Sequence, residues 1–198
     1  RCLGKRVVFT AHKVNAGKRD GNDGVVNRLT LRIQYSLVDH VFVHTRQMKR
    51  ELQAEFGVAP ERISVIPFGI NSTVPDTSLT RAEARKRIGV SEIDKVMLFF
   101  GHIAPYKGLE YLVEAMATLG DRVQGARLVI AGRPKGSEAY WSAVEARIRS
   151  LGIGSRVVQR IEFIPDAETE VYFKAADVLV LPYTHVFQSG VLFLAYNF

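Results

Sequence analysis

Lys107 and Gly108, in the stretch 96–114 (VMLFFGHIAPYKGLEYLVE), stand where three features that suit an anion coincide. The apolar run 96–100 reads as a strand that stops at Gly101. A short polar loop follows, and apolar residues at Leu109, Leu112, Val113 and Met116 have the spacing of one helix face. A cation, a backbone position without Cβ and the unbonded N–H groups of a first helical turn therefore meet at one point. Such a point suits a phosphate. Groups of the same kind recur nearby: Gly101 with His102, the loop Gly132-Arg133-Pro134-Lys135-Gly136, and Gln188-Ser189-Gly190 at the start of a last helix. Lys107 alone would read as an ordinary exposed lysine, and it is the glycines around it that point to an anion. His12 directly follows a strand at 6–10, where it would either project above the sheet as a functional group or merely cap the strand.

Other chemistries fit poorly. The loop GHIAPYKG lacks the Ser or Thr that a Walker loop needs after its lysine, and no G-x-G-x-x-G follows a strand. The histidines His12, His40, His44, His102 and His185 include no helical pair flanking a Glu, and there is one cysteine, so no metal is expected. His40 and His44 lie four apart in a strand pattern, on one face of a sheet edge.

The elements that would position these groups alternate. Strands at 6–10, 41–43 and 62–66 enclose a loop at 13–24 and helices from Val25 and at 46–56, the first of these helices carrying Val26, Leu29, Ile33 and Leu37 on one face. Residues 71–78 are rich in Pro, Ser and Thr and read as a linker. Thr80 and Glu83 then form a candidate capping box for a helix ending at Gly89. Strands follow at 96–100, 127–131, 161–164 and 178–181, with helices from Leu109 and at 137–151, 169–175 and 190–198. Strand and helix in alternation with short connections predict parallel sheets covered by helices. Right-handed crossovers would place the loops after the strands along the ligand-binding edge.

With 198 residues and 47% hydrophobic content, the chain is long enough for one large or two small cores. The net charge of +7 points to anionic partners, although the basic residues are spread over helices and loops as on ordinary solvated faces. No apolar run approaches the roughly 20 residues of a membrane span. With Cys2 as the single cysteine, a reducing, cytoplasmic setting is the expectation. The chain opens at Arg1 without a Met and closes at Phe198 inside a helical pattern, as a piece of a longer protein would.

Several stretches in order, VVFTAH, VDHVFVHTRQMKRELQAEFGVAPERISVIPFGIN, FFGHIAPYKGLEYLVEA, RLVIAG and FIPDAETEVYFKAADVLVLPY, resemble glycosyltransferase family 4, a group of retaining sugar-nucleotide transferases. The resemblance implies an α/β, GT-B-like fold of two Rossmann-like parallel-sheet domains, both incomplete here. Residues 1–71 would be the C-terminal part of an acceptor domain, 72–79 a linker, and 80–198 the N-terminal part of the donor domain. It implies a hexosyltransferase using a UDP- or GDP-linked sugar. The donor diphosphate would lie near Lys107 and Gly108 and the amides around Gly101 and Gly190, with Gln188 and Ser189 in the donor-sugar loop. The nucleobase would lie against the loop after Ala131, with Arg133, and near Phe163 and Ile164. His12 would be the catalytic group that reaches the reacting sugar. The acceptor would be a carbohydrate or lipid-linked, with peripheral association to a membrane as a further expectation, and neither cofactor, metal nor nucleic acid is implied.

Departures from the family pattern narrow this. His102 stands where the family often has Arg, and Phe68 where it usually has a polar residue before the linker glycine. The family's pair of glutamates would fall at Phe187 and Ala195, so no catalytic carboxylate is assigned. The missing glutamates and the net charge keep open a non-catalytic anion- or nucleotide-binding module of the same fold, and a nucleotide-sugar epimerase-like enzyme is the third reading. Missing neighbours would leave apolar faces exposed, so the chain alone is expected to be poorly soluble or inactive.

Overall fold

The computed structural model describes residues 4–19, 21–69, 74–119, 122–185 and 189–198. The chain divides into two compact units, Arg1–Gly69 with His185–Ser189, and Ile70–Thr184 with Gly190–Phe198. Among the described residues no helix is long and apolar enough to cross a membrane.

In the first unit, three short runs form the parallel strands β1 (Val8–Ala11), β2 (His40–Val43) and β3 (Ile63–Val65), in spatial order β1-β2-β3. The register sets Ala11 beside Val43 and Val43 beside Val65, so the chain leaves adjacent strands at the same height. The segment at 13–24, expected as a loop, contains the single helical turn α1 (Ala16–Arg19). Buried Asn15 organises it: its side-chain oxygen accepts from the Lys18 amide and from Asn27, and its amide donates to Asp23. The Arg28 guanidinium and Asn15 hold the Asp23 carboxyl down at about 2.

Helix α3 (Arg46–Phe56) starts where the Thr45 side chain accepts from the Met48 amide and ends at left-handed Gly57. It buries Met48 and Leu52 against Tyr35, Val41, Val43 and Ile63. Helix α2 (Val25–Leu37) departs from its sequence reading. Tyr35 is its buried residue, with the hydroxyl donating to the Val14 carbonyl, whereas Val26, Leu29, Ile33 and Leu37 are exposed. An apolar stripe identifies an amphipathic helix but not the surface against which it packs.

The second unit has the parallel strands β4 (Lys95–Phe100), β5 (Ala126–Ala131), β6 (Val157–Arg160) and β7 (Val178–Leu179), in order β6-β5-β4-β7. Alternation along the strands feeds two cores. Leu98, Phe100, Val129 and Ala131 face α4 (Arg81–Ile88) and α7 (Asp166–Ala175), while Phe99, Leu128 and Ile130 face α5 (Leu109–Leu119) and α6 (Glu138–Ser150). The last helix, α8 (Gly190–Ala195), packs Val191 and Leu194 against the first of these cores. The Thr80–Glu83 capping box forms.

One expectation is corrected. The strand expected at 161–164 lies at β6, because its partner β5 ends at Ala131, in register with Arg160, and residues beyond have no strand to pair with. The stretch 74–79, inside the expected linker, is fastened to α7: Glu170 accepts from the backbone amide and the hydroxyl of Thr77, both at 2.8 Å, and Lys174 donates to the Thr77 carbonyl. The expected linker residues 72 and 73 lie outside the described residues.

Arg85 is the polar keystone of this unit. It is 1% exposed, yet its guanidinium donates to the carbonyls of Ala175, Ser91 and Asp94 and to the Asp177 carboxylate. Asp177 also accepts from the Val96 amide, so one ion pair ties α4 to the beginnings of β4 and β7 and the end of α7. Removing one partner of such a pair strands the other. Arg85→Met is expected to lower the unfolding free energy by about 3–5 kcal/mol in urea denaturation. Substituting the exposed Arg87 by Met should change it by no more than about 0.5 kcal/mol.

Candidate anion-binding site

The carboxyl ends of β4, β5 and β6 release three chain segments side by side. Backbone bonds hold them together: the Gly101 amide donates to Ala131, that of Gly132 to Arg160, and that of Ile103 to Arg133, at 2.9–3.0 Å. The approach is so close that a Cβ on Gly132, at φ +143°, would lie well inside 3.0 Å of the Gly101 carbonyl oxygen. Gly108, at φ +65°, is equally crowded by the Pro182 carbonyl. No residue with a side chain fits either position.

Between these segments opens a cleft of about 240 Å³. Phe100, Gly101 and His102 line it from the end of β4, Gly132 and Arg133 from β5, and Glu162, Phe163 and Ile164 from the segment after β6. Lys107 and Val191 complete the lining. Lys107 ends a tight turn, Pro105–Lys107, and Gly108 in the left-handed conformation passes the chain into α5. The lysine is 6% exposed, and its ammonium lies 5.4 Å from the centre of the Tyr183 ring and 5.9 Å from that of Phe99. The Nζ lies 3.2 Å from where a Gly101 Cβ would be, so the missing side chain opens the space the cation borders.

The other polar groups have distinct states. Burial, reinforced by Lys107, Lys135 and Arg133, lowers the pKa of His102. The imidazole is therefore neutral at pH 7 and offers a directional hydrogen bond in place of a charge. The Arg133 guanidinium lies 5.3 Å from the centre of the exposed Phe163 ring. A planar cation over an aromatic ring beside the cleft is a surface against which a flat, polar ring can stack.

The cleft thus brings together Gly101, His102, Lys107, Arg133, Phe163 and Ile164, with Gly108 directly behind it. Gly190 opens α8, and the next residue, Val191, lines the cleft. Ser189 is buried and groups with the first unit, and Gln188 and Phe187 lie outside the described residues. Glu162, two residues past the last paired residue of β6, lines the cleft and was not singled out by the sequence. A larger groove, of about 630 Å³, opens at the amino-terminal edge of the same sheet, but its Arg127 is already tied to Asp94 and to the Ser155 carbonyl.

In the first unit, His12 directly follows β1 and His44 directly follows β2. Their rings stack at 5.0 Å, with His44 Nε2 3.0 Å from His12 Nδ1. His44 Nδ1 lies 3.2 Å from the Ile66 carbonyl oxygen, and Phe68 meets the His44 ring edge-on. His40, four residues earlier, contacts Ser64 instead. Among the described residues no group of three His, Cys, Asp or Glu side chains could hold a metal ion.

Residues 80–187 match the model of the glycosyl transferases group 1, and residues 1–74 match that of Glycosyltransferase Family 4. The chain is 27% identical over 186 residues to the D-inositol 3-phosphate glycosyltransferase of Corynebacterium glutamicum, covering 89% of this chain and 44% of that protein. Anabaena HepE, solved in complex with UDP-glucose, superposes with a TM-score of 0.78 at 18% identity over 96% of this chain and 50% of that one. Sucrose-phosphate synthase from Thermosynechococcus elongatus gives 0.78 at 22% identity over 95% and 47%. The chain thus spans about half the length of the relatives it matches, and the superpositions identify its parallel-sheet units with those of the GT-B fold. With the group 1 model spanning the sheet and the cleft of the second unit, the chain belongs to the group 1 glycosyl transferases.

Proposed function

We propose that the chain is part of a hexosyltransferase that takes its sugar from a UDP- or GDP-linked donor and passes it, with retention, to a carbohydrate or lipid-linked acceptor. The observation that carries this reading is Lys107: a cation nearly removed from water, beside the Cβ-free edge of Gly101, in the cleft at the carboxyl ends of the strands. A cation at a strand-to-helix turn with backbone N–H groups and a Cβ-free neighbour is the arrangement that receives an anion. The second unit is then the donor half and the first unit the acceptor half, with a linker region between them.

In this reading the donor diphosphate lies against Lys107, Gly108 and the amides of Gly101 and Gly190, and the base stacks beside Arg133, Phe163 and Ile164. Gln188 and Ser189 belong to the donor-sugar loop, and His12 serves the reacting sugar. Transfer breaks the bond from the anomeric carbon to the diphosphate oxygen and joins that carbon to an acceptor oxygen, whose proton leaves with the departing diphosphate. Charge grows on the departing diphosphate, where Lys107 and the amides stabilise it without reorganising. Positioning supplies most of the remainder. The family's carboxylate pair has no acidic counterpart at Phe187 and Ala195, so this chain supplies no glutamate there. The net charge of +7 is the observation behind the competing reading, a module that binds polyanions without catalysis.

Calorimetric titration with UDP-glucose and GDP-glucose separates the two. Lys107→Met is expected to weaken the preferred donor about 10- to 100-fold, the worth of a charge-assisted hydrogen bond. Equal binding of any polyanion, abolished by moderate salt and indifferent to Lys107, would favour the non-catalytic module.

His102 adds a pH signature. Because its pKa is lowered in the folded chain, its contribution to stability is fully present above the ordinary histidine value and is lost as the pH falls through that value toward the lowered one. A bound diphosphate favours the imidazolium and pulls the pKa back up, so binding takes up a proton. Affinity for UDP-glucose should therefore rise as the pH falls through the ordinary histidine range. His102→Gln should flatten that dependence in the same titration.

A further inference from the structure

The histidine pair at the carboxyl edge of the first sheet contains a direction. The register of β1 and β2 places Ala11 beside Val43, so His12 and His44 leave the sheet next to each other. His44 Nδ1 is 3.2 Å from the Ile66 carbonyl oxygen, and a carbonyl can only accept, so Nδ1 carries the proton. In the neutral ring His44 Nε2 is then bare. It lies 3.0 Å from His12 Nδ1, which must be the donor. The neutral His12 ring is left with an unprotonated Nε2, and this side chain is exposed. Phe68, packed edge-on at 5.3 Å, holds the His44 ring in place.

We propose that the Ile66 carbonyl and His44 form an ordered hydrogen-bond relay that locks His12 in its Nδ1–H tautomer, so that Nε2 meets its ligand as an acceptor. His44 is therefore a positioning residue. The group His12 takes at Nε2 is a hydroxyl or another hydrogen-bond donor, and a phosphate oxygen is excluded while the ring is neutral. Free imidazole prefers the opposite tautomer, so the relay does something that the His12 side chain would not do alone. This deepens the proposed function and rests on it only where His12 is given a task in sugar transfer.

Long-range proton–nitrogen correlation spectra of the histidine-labelled chain read the tautomers directly, with His12→Gln identifying the His12 signals. The expected spectrum shows His12 with a protonated Nδ1 and a bare Nε2. In His44→Phe, which keeps a packed ring but removes both nitrogens, His12 should shift to the Nε2–H form. His44→Gln, whose carbonyl can accept from His12 while its amide donates to Ile66, should restore the Nδ1–H form. A wild-type His12 in the Nε2–H form, or one unchanged by His44→Phe, overturns the relay. Should His44→Phe fail to fold by circular dichroism, the wild-type spectrum and His44→Gln decide it. In the longer enzyme, His44→Phe is expected to lower kcat about 10- to 100-fold with KM little changed, and His44→Gln to recover most of it. Full transfer by His12→Ala alongside an intact tautomer pattern would remove the catalytic task of His12 and leave the relay standing.

Discussion

The second unit depends on how closely its strand-terminal segments approach one another. At Gly132 and Gly108 the backbone of a neighbouring segment occupies the space a Cβ would need, and at Gly101 Lys107 and Val191 press against that space. These contacts bring the ends of three strands within one small cleft and place Lys107 along its border. A looser arrangement would tolerate side chains at those positions and would let water reach the ammonium. Crowding and burial of the cation are thus one constraint, satisfied together by glycine.

The scaffold behind that edge has to resist the strain of holding it. Arg85 and Asp177 do so at the opposite side of the sheet, where the starts of β4 and β7 meet α4 and the end of α7. The buried guanidinium donates to the carbonyls of Ala175, Ser91 and Asp94 and to Asp177, and such occupancy is what makes a buried charge tolerable. Rigid strand origins mean that the strand ends emerge at fixed heights.

Much of this was legible in the sequence. The run 96–100 followed by glycine, a short loop and a helical period identified the strand, turn and helix around Lys107, and Thr80 with Glu83 identified the start of α4. Local patterns of this kind are written in adjacent residues. What could not be read depends on partners distant in the chain. Ile161 to Ile164 have the composition of a strand, yet β5 ends too early to pair with them. The stripe on α2 has helical spacing, yet only the packing of Tyr35 decides which side is inward. His44 looked at most like a companion of His40, because a strand's period of two groups residues along the chain, whereas its actual companion comes from the next strand.

That last case follows from parallel topology. In a parallel sheet the first residue after each strand appears at the same edge, so two residues 32 positions apart become nearest neighbours when the register places their predecessors together. The same rule gathers Gly101 and Gly132 in the second unit, since Phe100 is paired with Ala131. One edge therefore collects glycines and cations, and the other collects two stacked, hydrogen-bonded imidazoles. A fold that repeats one topological rule in two units, with different residues at the strand ends, can set a different chemistry at each edge.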